Sequence, residues 1–344
     1  MTSLRTFVVG GAAVALFMTG AAGKSFAVEP GDFTNYLRGA TQGLLLGGLP
    51  PEGLYANFSP NATGLGGNAG VGNQTIPGKV TAPAFGEGVA LLWVPGWHFL
   101  GATYSFAVVQ GAYIGTSESS INPPFATSSV SSQLANTSFT PINLSWNLGK
   151  GWSFGAAVNV IGPDGSQWGS TFSSVDLNPD YWTVAPGAAI SYFTKDWSLS
   201  ANLRYDINTG SRGVTMGAPF LGAAANGYTS GNEVFGDFTA LYKVGKWQFG
   251  PVGYFEAQTT ADRPGGGFSC TSATVLAGGG CGNQSQIAIG ALVGYDFGPT
   301  VVQVWFDQTV ECANAVCGLD VWARLSWRIW APETSATKPM VTKN

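Results

Sequence analysis

The chain has 344 residues, of which only 10% are charged while 50 are glycine; ordinary soluble domains carry roughly 25% charged residues and about 7% glycine. A net charge of −4 argues against nucleic acid as a partner, which needs clustered Lys and Arg. Beyond the N-terminus no run of ~18 apolar residues exists, so spanning helices are excluded and strands are left as the way to cross a membrane.

At the N-terminus, Arg5 precedes an apolar run from Phe7 to Gly23 and then the small-x-small triplet Ser25-Phe26-Ala27. This is the layout of a signal peptide over 1–27, with cleavage after Ala27. Losing Arg5 and Lys24 takes the mature chain to a net charge of −6. The following segment, 28–52, carries the apolar run Leu44-Leu45-Leu46 and reads either as a periplasmic piece or as a plug.

From 53 to 330 about twelve strand-length stretches alternate with tight and long connections. The first six are expected at Gly53–Ser59, Lys79–Val94, Trp97–Ile114, Ser138–Leu148, Trp152–Ile161 and Tyr181–Phe193. Tight connections fall at Pro95-Gly96, Gly149-Lys150-Gly151, Thr194-Lys195, Gly245 and Gly298-Pro299. The long ones, near Asn61–Gly78, Thr116–Thr137, Asp164–Pro179, Gly210–Thr229, Ala261–Asn283 and Glu311–Val316, are rich in Gly, Ser, Asn, Thr and Ala. Short turns at one end, long loops at the other and an even strand count predict an all-β fold, a transmembrane antiparallel up-and-down β-barrel with periplasmic turns and extracellular loops. A hydrophilic tail, 331–344, follows.

In such a wall alternate side chains meet lipid and lumen. The pattern is plainest after Lys195, where Trp197, Leu199, Ala201, Leu203, Tyr205 and Ile207 oppose Ser198, Ser200, Asn202, Arg204, Asp206 and Asn208. The same test along the later strands places Arg204, Asp206, Glu233, Asp237, Tyr254, Glu256, Asp307, Trp322, Arg324 and Arg328 on the lumen side as pore-lining candidates. In the less regular stretch Thr81–Trp93, Glu87 is assigned to the lumen together with an apolar inner face near Val89 and Leu91. Pro186 and Pro251 fall inside strands, lack ladder donors, and would mark a lateral break.

Trp93, Trp97, Trp146, Trp152, Trp197, Trp247 and Trp330 gather at the tight-turn side, as an interfacial aromatic girdle requires. The cysteines form two local pairs in long connections, Cys270 with Cys281 and Cys312 with Cys317. Export to an oxidising compartment favours disulfides, although four cysteines allow three connectivities. No His lies near either pair, so no metal site is expected. The lone histidine, His98, follows a tight turn and reads as an interface side chain rather than half of a Ser-His pair. The Gly-rich string Gly64–Gly72 lacks the Lys-Ser/Thr and strand-to-helix setting of a phosphate cradle.

The phrases "GGLPPEGLY", "NPDYWTVAPGAAISYFTKDWSLSANLRYDINT", "SGNEVFGDFTALYKVGKWQFGPVGYFEAQTTAD" and "IGALVGYDFG" carry a resemblance. Over about Glu29 to Trp330 the chain resembles the meta-pathway phenol-degradation family of outer-membrane transporters, found with gene clusters for breakdown of aromatic compounds. The resemblance implies uptake of small hydrophobic or aromatic solutes, with neither a catalytic motif nor a cofactor. It also suggests a lumenal plug before the first strand, as in the long-chain fatty-acid transporters. The expectation is therefore a non-enzymatic channel in the bacterial outer membrane, reached by export, with lipid, its solutes and the barrel-assembly machinery as partners, monomeric by default. The alternative is a non-conducting structural or adhesive barrel.

Overall fold

The structure, a computed structural model, describes residues 34–67, 83–119, 127–168, 181–210, 228–260, 283–313 and 317–332, with short pieces at 70–71, 74–75, 80–81, 179, 263–264 and 315. Residues 1–33, including the expected signal peptide over 1–27, the Cys270 and Cys281 pair and the tail beyond 332 lie outside the described residues.

Twelve strands build the wall: β1 (Gly53–Leu65), β2 (Ala84–Val94), β3 (Ala102–Ser119), β4 (Ser138–Gly149), β5 (Trp152–Ile161), β6 (Thr183–Phe193), β7 (Trp197–Asn208), β8 (Glu233–Val244), β9 (Trp247–Gln258), β10 (Ser285–Asp296), β11 (Thr300–Ala313) and β12 (Leu319–Trp330). Each pairs antiparallel with its sequence neighbours, and β1 pairs with β12, Leu54 opposite Trp330 and Phe58 opposite Leu325, so the sheet closes on itself. Closure is what an apolar solvent demands, because an open edge would leave a row of N–H and C=O groups unsatisfied.

Alternation decides which side faces out. On β6, Val184, Pro186, Ala188 and Ile190 are exposed on the lipid side, whereas Thr183, Ala185, Ala189 and Ser191 are buried within. At the tight-turn end the outer face carries cross-strand aromatic pairs: Trp152 with Tyr192 at 4.8 Å, Trp197 with Tyr242 at 5.0 Å and Trp247 with Tyr295 at 4.8 Å between ring centroids. Trp93 and Trp97, 5.6 Å apart, continue the girdle, and Trp97 stacks on Tyr104. Such rings combine apolar area with a polar edge and suit the headgroup layer.

Several boundaries differ from those expected. β1 runs on to Leu65 and β3 to Ser119, and residues Thr127–Leu134 pair with the far half of β3, so wall structure replaces what low apolar content had suggested were loops. These stretches are rich in Ser and Thr, so a test for alternating apolar residues does not register them as strand. The reversal between β2 and β3 is made not at Pro95-Gly96 but at Leu100-Gly101, both with positive φ (51° and 78°), after His98 and Phe99 have paired with Thr103 and Ala102. Of the two cysteine pairs, Cys312 and Cys317 are joined across the β11–β12 connection, with Cα atoms 5.9 Å apart.

Glu87 is a correction. Gly86, Gly88, Ala90 and Leu92 face inward, which turns Glu87 outward together with Phe85, Val89 and Leu91, all exposed. The inner face there is small rather than polar, which a test for polar alternation cannot see. The prolines also behave differently from the expectation of a break. The β6–β7 ladder skips Ala185 and Pro186 but resumes at Gly187 opposite Arg204 in the same register as Val184 opposite Ile207. Likewise β8–β9 skips Pro251 and resumes unshifted, from Tyr242 opposite Phe249 to Thr239 opposite Val252. The strands stay side by side at both places.

Candidate functional site

Residues 34–49 lie inside the barrel and bond to its inner wall along their length. At the long-loop end Asn35 donates to Thr183 Oγ1 at 2.8 Å and accepts from Asn136. Next, Asp237 gathers four donors from the segment: Tyr36 OH at 2.9 Å, the backbone N–H groups of Gly39 and Thr41 at 3.2 Å each, and the Thr41 hydroxyl. Bonds to a charged acceptor contribute about 1.5–3 kcal/mol each, so this carboxylate is the main seat of the segment.

Around it, Arg38 pairs with Glu256 at 3.1 Å, Gln42 donates to Asp307 at 3.1 Å and Gly43 N–H donates to Thr239 at 2.9 Å. Arg324 caps the carbonyls of Ala40 and Gln42 while lying over the Trp305 ring, 4.7 Å from its centroid. Trp305 in turn stacks on Trp322, nearly parallel at 5.5 Å. Leu37 and Ala40 pack on the apolar inner cluster of Leu241, Val252, Leu292, Trp305 and Trp322, and burying a Leu side chain stabilises by about 2 kcal/mol. At the tight-turn end, Gly47 is held between Ser145, which donates to its carbonyl at 2.7 Å, and Ser191, which accepts from its N–H at 2.9 Å. A Cβ on Gly155 would come within 2.5 Å of Leu46 O, so glycine is required where backbone meets wall.

Between its anchors on β4 to β6 at either end, the segment lies mainly against β7 to β12 and, among the described residues, leaves part of the lumen open. About 2590 Å³ of space remains, bordered from Asn61, Thr63 and Asn136 at the long-loop end to Lys150, Lys195 and Gly298 at the tight-turn end. One wall of this space is the inner face of β1 to β6, with Asn57, Gly88, Ala90, Ala107, Val109, Gly111, Thr140, Asn143, Ala157 and Asn159. Between Tyr55 and Phe193 that face carries no charged side chain among the described residues. A Cβ at Gly88 would meet nothing within 4 Å.

All ten residues singled out from the sequence lie on the inner face of β7 to β12, and all but Arg328 are buried. Arg204, Trp322, Arg324 and Arg328 border the open space; Asp206, Glu233, Asp237, Tyr254, Glu256 and Asp307 do not. Arg204 makes a two-pronged pair with Asp206, 2.5 and 2.9 Å, and lies over the Tyr36 ring. Sequence reasoning missed the uncharged wall of β1 to β6. Its only signal was the alternation of small with bulky residues, as in Phe85, Gly86, Glu87, Gly88, Val89 and Ala90. His98 sits exposed in the β2–β3 connection. Among the described residues no three His, Cys, Asp or Glu side chains are grouped to hold a metal.

The family described as "Putative MetA-pathway of phenol degradation" matches residues 66–325. The chain belongs to this family. No curated relative matches it. Among solved structures, an outer membrane channel from Pseudomonas putida F1 shares the fold at a TM-score of 0.62 with 10% identity, covering 85% of this chain and 99% of that one. More distant similarities include the transport unit of the autotransporter AIDA-I from Escherichia coli (TM-score 0.45, 11% identity, 81% and 90% coverage) and the Ralstonia pickettii toluene transporter TbuX (0.40, 10%, 90% and 96%). The match to the phenol-degradation family covers β2 to β11 entire and the first part of β12, so it takes in most of both walls but neither β1 nor residues 34–49.

Proposed function

We propose that this member of the phenol-degradation family is an outer-membrane channel through which small hydrophobic or aromatic compounds enter the cell. The observation that carries the reading is the open space reaching both ends of the barrel beside residues 34–49, with an uncharged, mostly small-residue wall on β1 to β6. Small apolar groups offer a dry surface to an aromatic ring, while Asn57, Asn143 and Asn159 offer amide partners to a polar substituent. The long loops would face the exterior and the tight turns the periplasm. Membership of a family described by phenol degradation supports the same solute class, since phenol is a small aromatic ring with one polar substituent. Residues 34–49 act as a fixed internal partition that narrows the lumen.

The test is single-channel recording of the folded barrel in planar bilayers. Wild type is expected to give stable steps that aromatic solutes block. Gly88→Trp, which has room to enter the passage, is expected to reduce step size at least twofold while heat-modifiable migration stays intact. Silence from well-folded wild type would favour the non-conducting barrel, and equal steps in Gly88→Trp would place conduction elsewhere.

A further inference from the structure

The charged side chains that border the open space are of nearly one sign. Arg324, Arg328, Lys150, Lys195, Lys243 and Lys246 border it, with Arg204, whose charge Asp206 matches, against Glu52 and Asp296. The chain as a whole has the opposite balance, 15 Lys and Arg against 19 Asp and Glu. Six carboxylates buried within the barrel, Asp206, Glu233, Asp237, Glu256, Asp307 and Asp320, stay off the passage.

The basic groups are arranged as a ring at the tight-turn mouth. Lys150 stands on the β4–β5 turn, Lys195 on the β6–β7 turn, Lys243 and Lys246 at the β8–β9 turn, and Arg328 near the end of β12. Lys243 is held toward the mouth by a hydrogen bond to Thr194 O and by the Phe193 ring, 3.5 Å from its ammonium. The two acids are tied to turns: Asp296 accepts from Gly298 N–H at 2.6 Å, and Glu52 lies against Gly96. Deeper in, Arg324 bonds to carbonyls and neutral side chains rather than to a carboxylate. Rings of Lys and Arg select anions, and low-dielectric walls focus their field along the axis.

We infer that the passage favours organic anions, so that aromatic compounds bearing a carboxylate or sulfonate belong to its substrate class. This rests on the channel reading above. The uncharged wall of β1 to β6 takes the ring, and the basic mouth attracts the acid group and repels aromatic ammonium ions.

Reversal potentials in planar bilayers test it, first in a KCl gradient and then with sodium benzenesulfonate and benzyltrimethylammonium chloride. Wild type is expected to pass chloride over potassium and benzenesulfonate over benzyltrimethylammonium, each by at least threefold. The triple variant Lys150→Glu, Lys195→Glu, Lys246→Glu, with its substitutions on exposed turns, is expected to bring both ratios to one or below. Open channels in wild type with no preference, or with a cation preference, overturn the anion inference and leave the channel standing. Absence of conductance from folded protein, together with no solute uptake into vesicles, overturns both.

Discussion

Glu87 stands on the outer wall between Phe85 and Val89, with Pro60 and Ala112 opposite it on the neighbouring strands. Charges on the lipid face of a barrel destabilise it by about 2–4 kcal/mol for Lys or Arg at midplane and by less for acids. Glu87→Leu is therefore expected to stabilise the folded barrel by about 1 kcal/mol, seen as a higher urea midpoint in lipid vesicles. A lower midpoint would show that another molecule or lipid group satisfies the carboxylate. Polarity misleads at this position because β2 is sorted by size: glycine and alanine face open space and bulk faces lipid. Where inner residues touch other protein, as at Arg204 or Glu256, polarity sorts the strand and the alternation is legible.

Residues 34–49 form no regular element, and this explains why so little of their role could be read beforehand. The run Leu44-Leu45-Leu46 hinted at burial, but the anchoring residues Tyr36, Arg38, Thr41 and Gln42 have partners roughly 200 or more positions away, as in Arg38 with Glu256 and Gln42 with Asp307. Only barrel closure brings these groups together, and no local periodicity records it. The strands, by contrast, were legible because pairing repeats every second residue and each hairpin is local. Asp237→Asn tests the seat of the segment. Asparagine keeps one acceptor but turns an NH₂ group toward donors, so the segment is expected to lose about 2–3 kcal/mol of attachment. Limited proteolysis should then cut within 34–49 at least tenfold faster, while the barrel still migrates as folded. Unchanged protection would mean that Arg324 and the Gly47 clamp hold the segment without Asp237.

At the scale of the whole barrel, charge among the described residues is divided by strand: the inner face is uncharged on β1 to β6, and the buried charges sit on β7 to β12 beneath residues 34–43. The segment thus does two things at once. It narrows the lumen, and it separates six buried carboxylates from the passage while contributing Arg38 to their neutralisation. Removing it should change sign as well as size. Without residues 34–49 the lumen would present those six carboxylates against Arg204 and Arg324, and acidic walls favour cations. The wall closes through its own ladder from β1 to β12, so the deletion variant is expected to remain a heat-modifiable barrel. Its conductance should rise severalfold, and its reversal potential in a KCl gradient should move from anion preference to cation preference. Larger conductance without a change of sign would show that the basic mouth alone sets selectivity. Unchanged conductance would place the conducting path away from the segment altogether.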